Sequence, residues 1–105
     1  MARRCWRDVA PEAAQNMLDD LRVVDVRTFD ETNGPLAALD AAEVVPLPTI
    51  VSAMKAWQHD EPLLVVCRSG KRAQLACQAL CAAGFSEVYN LAGGMMAWHE
   101  RGLPC

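Results

Sequence analysis

Residues 62–67, PLLVVC, constrain this chain more than any other stretch. A strand on a half-solvated sheet alternates apolar and polar residues, because successive side chains point to opposite faces. An unbroken apolar run this short therefore predicts a strand covered on both faces, the central position of a parallel sheet. The run ends on Cys67 and passes into CRSGKR, residues 67–72, with three cations and one glycine. Beyond it, Ala73, Ala76, Cys77, Leu80 and Cys81 recur at i, i+3, i+4, i+7 and i+8, the apolar stripe of an amphipathic helix. The expected order is strand, tight loop, and a helix from Lys71 to about Ala83 closed by Gly84.

The same alternation runs through the rest of the chain. A short strand is expected over 5–9, then a helix from Pro11 to near Asp20, since proline suits a first helical turn. LRVVDV, residues 21–26, is a β-branched strand. Residues 27–43 are expected to be mostly loop, with a turn at Asn33, Gly34 and Pro35. EVVPL, residues 43–47, is a further strand, and the helix over 49–58 puts Ile50, Met54 and Trp57 on one face. EVYNL is the last strand and GMMAWHER the last helix, with Gly102 after it. This pattern gives an α/β fold: a small central, mostly parallel, five-stranded sheet with helices on both faces. Residues 1–105 are read as one domain, with 1–5 as a disordered tail. In such sheets ligands bind beyond the carboxyl ends of the strands, where Cys67 falls.

The net charge of -3 argues against a nucleic-acid partner, which would need a basic excess to displace counterions. No apolar run approaches the roughly 20 residues needed to span a bilayer. MARRCWRD lacks the apolar core of an export signal, so a cytoplasmic location is expected. Five cysteines, an odd number without an export signal, argue against a disulfide framework. Cys77 and Cys81 lie on the helix stripe and are read as core rather than as zinc ligands, because two thiols without further ligands make a poor site. Trp57, Trp98, Met54, Met95 and Met96 are likewise read as core. Cys5 and Cys105 are expected to be exposed, and His59 and His99 to be solvated surface residues.

A cysteine ending an apolar strand is, taken alone, best read as core. The residues after Cys67 change that reading. Backbone N–H groups at a helix start lack intrahelical partners, and a glycine lets them converge on an anion as a nest. The helix adds about half a positive charge there. Arg68, Lys71 and Arg72 add full charges at a position where the helix dipole disfavours them, which implies an anion to compensate. A thiol of pKa about 8.5 can fall to roughly 3.5–7.5 in such settings, so Cys67 is expected to be a nucleophile that needs no histidine.

VVCRSGKRA, VYNLAGGMMAWHERGLP and VVDVR together resemble the single-domain rhodaneses, the thiosulfate sulfurtransferases. The resemblance spans nearly the whole chain with a gap, and its most specific part is the Gly-Gly-x-x-x-Trp ending. It implies that Cys67 forms the persulfide, and that Arg68, Ser69, Gly70, Lys71 and Arg72 complete a six-residue substrate-binding loop. Asp25 and Arg27 fall on the family's Asp-x-Arg and are implied to support the site. The implied partners are an anionic sulfur donor such as thiosulfate and an acceptor thiol or cyanide, the thiol belonging to a small molecule or a protein. No metal or organic cofactor is implied. Where the family carries Gly-His-Ile-Pro-Gly-Ala, this chain has NGPLAALDAAEVVP, with no histidine. The shape of the 27–43 loop is therefore left open.

Two rivals are weighed against this. One is a persulfide relay or binding module that serves a partner protein without turnover. The other is a cysteine phosphatase or arsenate reductase, whose Cys-x5-Arg loop would need arginine where this chain has Ala73. A loop one residue shorter makes a smaller cradle, suited to a single sulfur atom.

Overall fold

The computed structural model describes residues 5–105, and its sheet is built around the apolar run. The strands are β1 Trp6–Val9, β2 Arg22–Asp25, β3 Ala42–Val44, β4 Leu63–Val66 and β5 Val88–Leu91. They lie in the order β1-β5-β4-β2-β3, and all four pairings are parallel. β4 is the centre, and none of its four side chains is exposed. Its alternate residues serve two separate apolar layers. Leu63 and Val65 join Ile50, Trp57, Ala73, Cys77 and Leu80 on one face, whereas Leu64 and Val66 join Ala14, Leu39, Met95 and Trp98 on the other. An all-apolar strand is thus the sequence of a strand that has two insides.

The helices are α1 Pro11–Met17, α2 Phe29–Thr32, α3 Ile50–Ala53, α4 Lys71–Ala82 and α5 Gly94–Glu100. A 3-10 turn over Leu18–Asp20 continues α1, so the first helical stretch runs as the sequence predicts. The stretch expected over 49–58 is three short pieces instead. 3-10 turns at Leu47–Thr49 and Met54–Ala56 flank α3. Its apolar spacing still works, since Ile50 and Trp57 are buried and Met54 packs against them. α4 closes as its sequence implies. Gly84 adopts φ +102°, and its N–H and that of Phe85 return to the carbonyls of Cys81 and Leu80 at 3.0 and 3.1 Å.

Residues 27–43 are mostly loop, as expected, interrupted by α2, a single turn that survives at four residues because Thr28 and Glu31 form a reciprocal capping box. Two further expectations require correction. Met96 is not core: it is 39% exposed, because α5 turns Met95 and Trp98 to the sheet and the intervening face outward. The other concerns Cys5 and Cys81, which form a disulfide with Cα atoms 5.8 Å apart. The odd cysteine count concealed this pair, because Cys67, Cys77 and Cys105 remain free. α4 packs against β1, and the same stripe that buries Cys77 carries Cys81 toward the start of that strand. The tail expected over 1–5 lies outside the described residues except for Cys5, which this bond ties down. Among the described residues no helix is long and apolar enough to cross a membrane.

The disulfide closes a segment of 76 residues in sequence, a long loop whose freedom in the unfolded chain it removes. Reduction, or Cys5→Ser, is therefore expected to cost about 2–4 kcal/mol. For a domain of this size that lowers Tm by roughly 10–20 °C. Calorimetric scans with and without reductant measure it, and Cys5→Ser should itself show no further response to reductant.

Candidate active site

β4 delivers Cys67 to the carboxyl edge of the sheet, and residues 67–70 turn the chain into α4. Gly70 caps α4 at φ +99°, a conformation that L side chains rarely adopt. The turn aims two backbone donors at one atom: the Gly70 N–H lies 3.0 Å and the Ala73 N–H 3.4 Å from Cys67 Sγ. The sulfur thus sits on the unpaired donors of a helix start, and Cys67 is 1% exposed.

α5 holds the loop from the other side. The Met95 N–H donates to the Cys67 carbonyl at 2.8 Å, and the Met96 N–H to that of Arg68 at 2.9 Å. So close an approach explains the double glycine. Gly93 and Gly94 both have positive φ, and a Cβ on Gly94 would overlap the Cys67 and Arg68 carbonyls. Asn90, buried on β5, lies beneath Gly70 and donates from Nδ2 to Asp8 Oδ1 at 2.9 Å.

Asp25 and Arg27 form a wholly buried ion pair at the end of β2. Arg27 Nη2 donates to Oδ2 at 2.7 Å and Nε to Oδ1 at 3.0 Å, while its backbone N–H adds a third bond at 3.1 Å. Nη1 donates to the Leu36 carbonyl at 2.7 Å. Charges this deeply buried are tolerable only when hydrogen-bonded. Here those bonds fix the residues between β2 and β3 that form the outer wall of the site.

The three loop cations fare differently. Arg68 and Lys71 are exposed, and among the described residues neither has an ion-pair partner. Arg72 is engaged by Glu31: Nη1 and Nη2 donate to Oε1 and Oε2 at 2.7 Å each. The Glu31 carboxyl is held down at about 2, first by these bonds and also by the Thr28 backbone N–H. The same bonds raise Arg72. Because the carboxyl is depressed from 4.5, the pair is fully stabilising above about pH 4.5 and is lost as the pH falls toward 2. Sequence reasoning missed Glu31, although Thr-x-x-Glu at 28–31 is a capping-box signal.

An open cleft of about 340 Å³ lies beside the loop, lined by Arg27, Asp30, Glu31, Gly34, Pro35, Leu36 and Arg68. A slightly larger one, about 380 Å³, sits around Arg22 at the opposite end of β2 among acidic residues and contains no nucleophile. Cys77 and Cys105 are also free thiols. Burial pushes Cys77 up to about 12, helped by the charges of Asp8 and Cys67, and burial also raises Cys105. Neither histidine is hydrogen-bonded to Cys67. His59 is exposed with its ring against Phe85, whereas His99 is half-buried rather than solvated, its Nε2 3.0 Å from the Ala37 carbonyl. With Cys81 in the disulfide, Cys77 and Cys81 cannot act as paired thiolate ligands.

The chain is similar to known proteins in sequence and in fold. Residues 10–101 match the model of the rhodanese-like domain. The chain is 37% identical over 94 residues to the thiosulfate sulfurtransferase GlpE of Vibrio cholerae, covering 88% of this chain and 87% of that protein. It is 36% identical over 86 residues to a sulfurtransferase of Allochromatium vinosum, covering 82% and 78%. The crystal structure of a rhodanese-like domain protein from Staphylococcus aureus superposes with a TM-score of 0.79 at 29% identity, covering 93% of this chain and 96% of that one.

Gly94 and Gly102 make a matched test of the loop's support, since both have positive φ but only Gly94 faces other atoms. Gly102→Ala is expected to cost only the left-handed backbone term, about 1–2 kcal/mol. Gly94→Ala adds overlap with the cysteine loop and is expected to cost about 3 kcal/mol or more. Urea unfolding of the two variants measures the difference.

Proposed function

The chain belongs to the rhodanese-like domain family, and from that membership we propose that it is a sulfurtransferase in which Cys67 carries the sulfur. The observation that carries this reading is the convergence of the Gly70 and Ala73 N–H groups on Cys67 Sγ, beside two cations that have no ion-pair partner among the described residues. Donors aimed at a sulfur stabilise negative charge on it, and they serve a thiolate and a persulfide anion alike.

The Cys67 thiolate attacks the outer sulfur of thiosulfate. A bond forms from Sγ to that sulfur, the sulfur–sulfur bond of thiosulfate breaks, and its electron pair leaves with sulfite. The charge on the persulfide remains in the loop. An acceptor thiolate then attacks the outer sulfur, the bond to Sγ breaks, and its electron pair restores the Cys67 thiolate. Cyanide accepts the sulfur in the same way and leaves as thiocyanate. Neither half-reaction needs a redox partner. Arg68 and Lys71 draw the dianionic donor to the loop. Arg72 contributes less net charge, because Glu31 already neutralises it.

Loop length favours sulfur over an oxyanion ester. A phosphatase loop would place its clamping arginine at position 73, and Ala73 is fully buried there. Arg72, the nearest guanidinium, is turned to Glu31.

Intact-mass measurement after mixing with thiosulfate is expected to show one added sulfur, absent from Cys67→Ser. A wild-type chain that gains none would overturn the reading. The donor itself is tested at Lys71. A charge a few ångströms from the bound anion is worth roughly 1–4 kcal/mol, depending on the effective dielectric. Lys71→Ala is expected to lower kcat/KM for thiosulfate about tenfold more than for a neutral aromatic thiosulfonate ester, with the gap narrowing in salt. Equal losses for both donors would assign Lys71 to the nucleophile instead of the substrate.

A further inference from the structure

We propose that Glu31 is a positioning residue of the sulfur-transfer site: through Arg72 it clamps the first turn of α4 to the wall formed by residues 27–36, which keeps the Gly70 and Ala73 N–H groups aimed at Cys67 Sγ. The inference rests on the reading of Cys67 as the sulfur carrier.

Geometry makes the clamp direct. Arg72 is the second residue of α4, and the next residue supplies one of the two donors to the sulfur. A movement of Arg72 therefore moves a donor. The contact is a two-pronged fork at 2.7 Å on each prong, so it fixes orientation as well as distance. Glu31 is itself anchored, since its Oε1 also accepts from the Thr28 N–H at 3.1 Å and its own N–H donates to Thr28 Oγ1 at 3.2 Å. That anchor belongs to a segment fixed at both ends, by the Thr28 cap and by the Arg27 bond to Leu36. The carboxylate thus joins two elements 41 residues apart in sequence, and both line or adjoin the cleft beside Arg68.

Electrostatics favour the same arrangement. Cations in the first turn of a helix oppose its dipole. α4 begins with Lys71 and Arg72, no acidic residue lies in its first turn, and Gly70 gives no side-chain cap. Glu31 supplies from another element the negative charge this helix start lacks. The depressed carboxyl keeps that charge in place across the whole neutral and mildly acidic range.

The test compares Glu31→Gln, which retains size and an acceptor for Thr28, with Arg72→Lys, which retains the charge but loses the fork. Glu43→Gln, which breaks an ion pair to Arg22 at the other end of the sheet, is the control. Single-turnover loading of Cys67 is followed by intact mass with thiosulfate and with a neutral thiosulfonate ester, and iodoacetamide alkylation of Cys67 is timed separately. A misplacement of the donors is expected to lower the loading rate about tenfold for the ester and the anion alike, with KM changed less than twofold. Arg72→Lys should match it, the alkylation rate should change at least threefold in both, and Glu43→Gln should behave as wild type. Glu31→Gln combined with Arg72→Gln should be no slower than Arg72→Gln alone. Unchanged loading in Glu31→Gln, a loss confined to thiosulfate, or additive losses in the double variant would each overturn the proposal. If the wild type takes up no sulfur, the sulfurtransferase reading fails, and the alkylation rates alone decide whether Glu31 positions Cys67. Should Glu31→Gln fail to fold, Arg72→Lys and the alkylation of Cys67 carry the same decision.

Discussion

Burial of β4 on both faces is the constraint on which the remaining architecture depends. Four apolar side chains with no exposed face require an apolar layer above and below the sheet, and two layers require helices on both sides. Helices that alternate with strands make the neighbouring strands parallel, and a parallel sheet gathers its strand ends on one edge. Cys67 continues β4 to that edge. Its position in the middle of that edge is therefore a consequence of the same run of leucine and valine that stabilises the fold.

The loop after Cys67 is fixed from three directions by different chemistry. From α4, the left-handed turn at Gly70 directs two N–H groups at the sulfur. From α5, two further N–H groups hold the loop's carbonyls, at a separation that only glycine at 94 permits. From the β2–β3 connection, the buried Asp25–Arg27 pair and the Glu31–Arg72 fork set the outer wall. Most of these supports are backbone groups, which cannot change rotamer. On the proposed transfer through Cys67, a site that presents donors to the same atom before and after a sulfur is added gains from parts with so little freedom.

Most of this was legible in the sequence where a local signal existed. The all-apolar run announced the central strand and the period of α4 announced its buried stripe, whereas the double glycine before Met95 entered only through the family resemblance, and the close approach it permits came from the structure. Family resemblance supplied Asp25 and Arg27, whose buried pairing no spacing could have revealed. Three features were missed for different physical reasons. Glu31 was hidden because its partner is 41 residues away, although its capping box was local and visible. The Cys5–Cys81 bond was hidden because pairing depends on which helix crosses which strand, information that a cysteine count does not hold. Met96 was assigned to the core because composition says nothing about which side of a seven-residue helix faces the sheet.

The charge pattern around Cys67 resolves an apparent conflict between binding and stability. A helix start with Lys71 and Arg72 beside Arg68 suits an anionic donor, yet without substrate it leaves like charges facing one another and the dipole. Neutralising all three would remove the attraction for the donor. Pairing only Arg72 relieves part of the repulsion while the other two cations stay at the surface with no ion pair among the described residues, in a chain whose overall charge is -3. The paired cation is the one closest in sequence to Ala73, where fixed geometry matters, and the other two are exposed, where a mobile side chain can meet ligands of different shape. One carboxylate on the opposite wall thus divides the cluster into a paired cation and two exposed ones, which on the proposed function are the two that meet the donor.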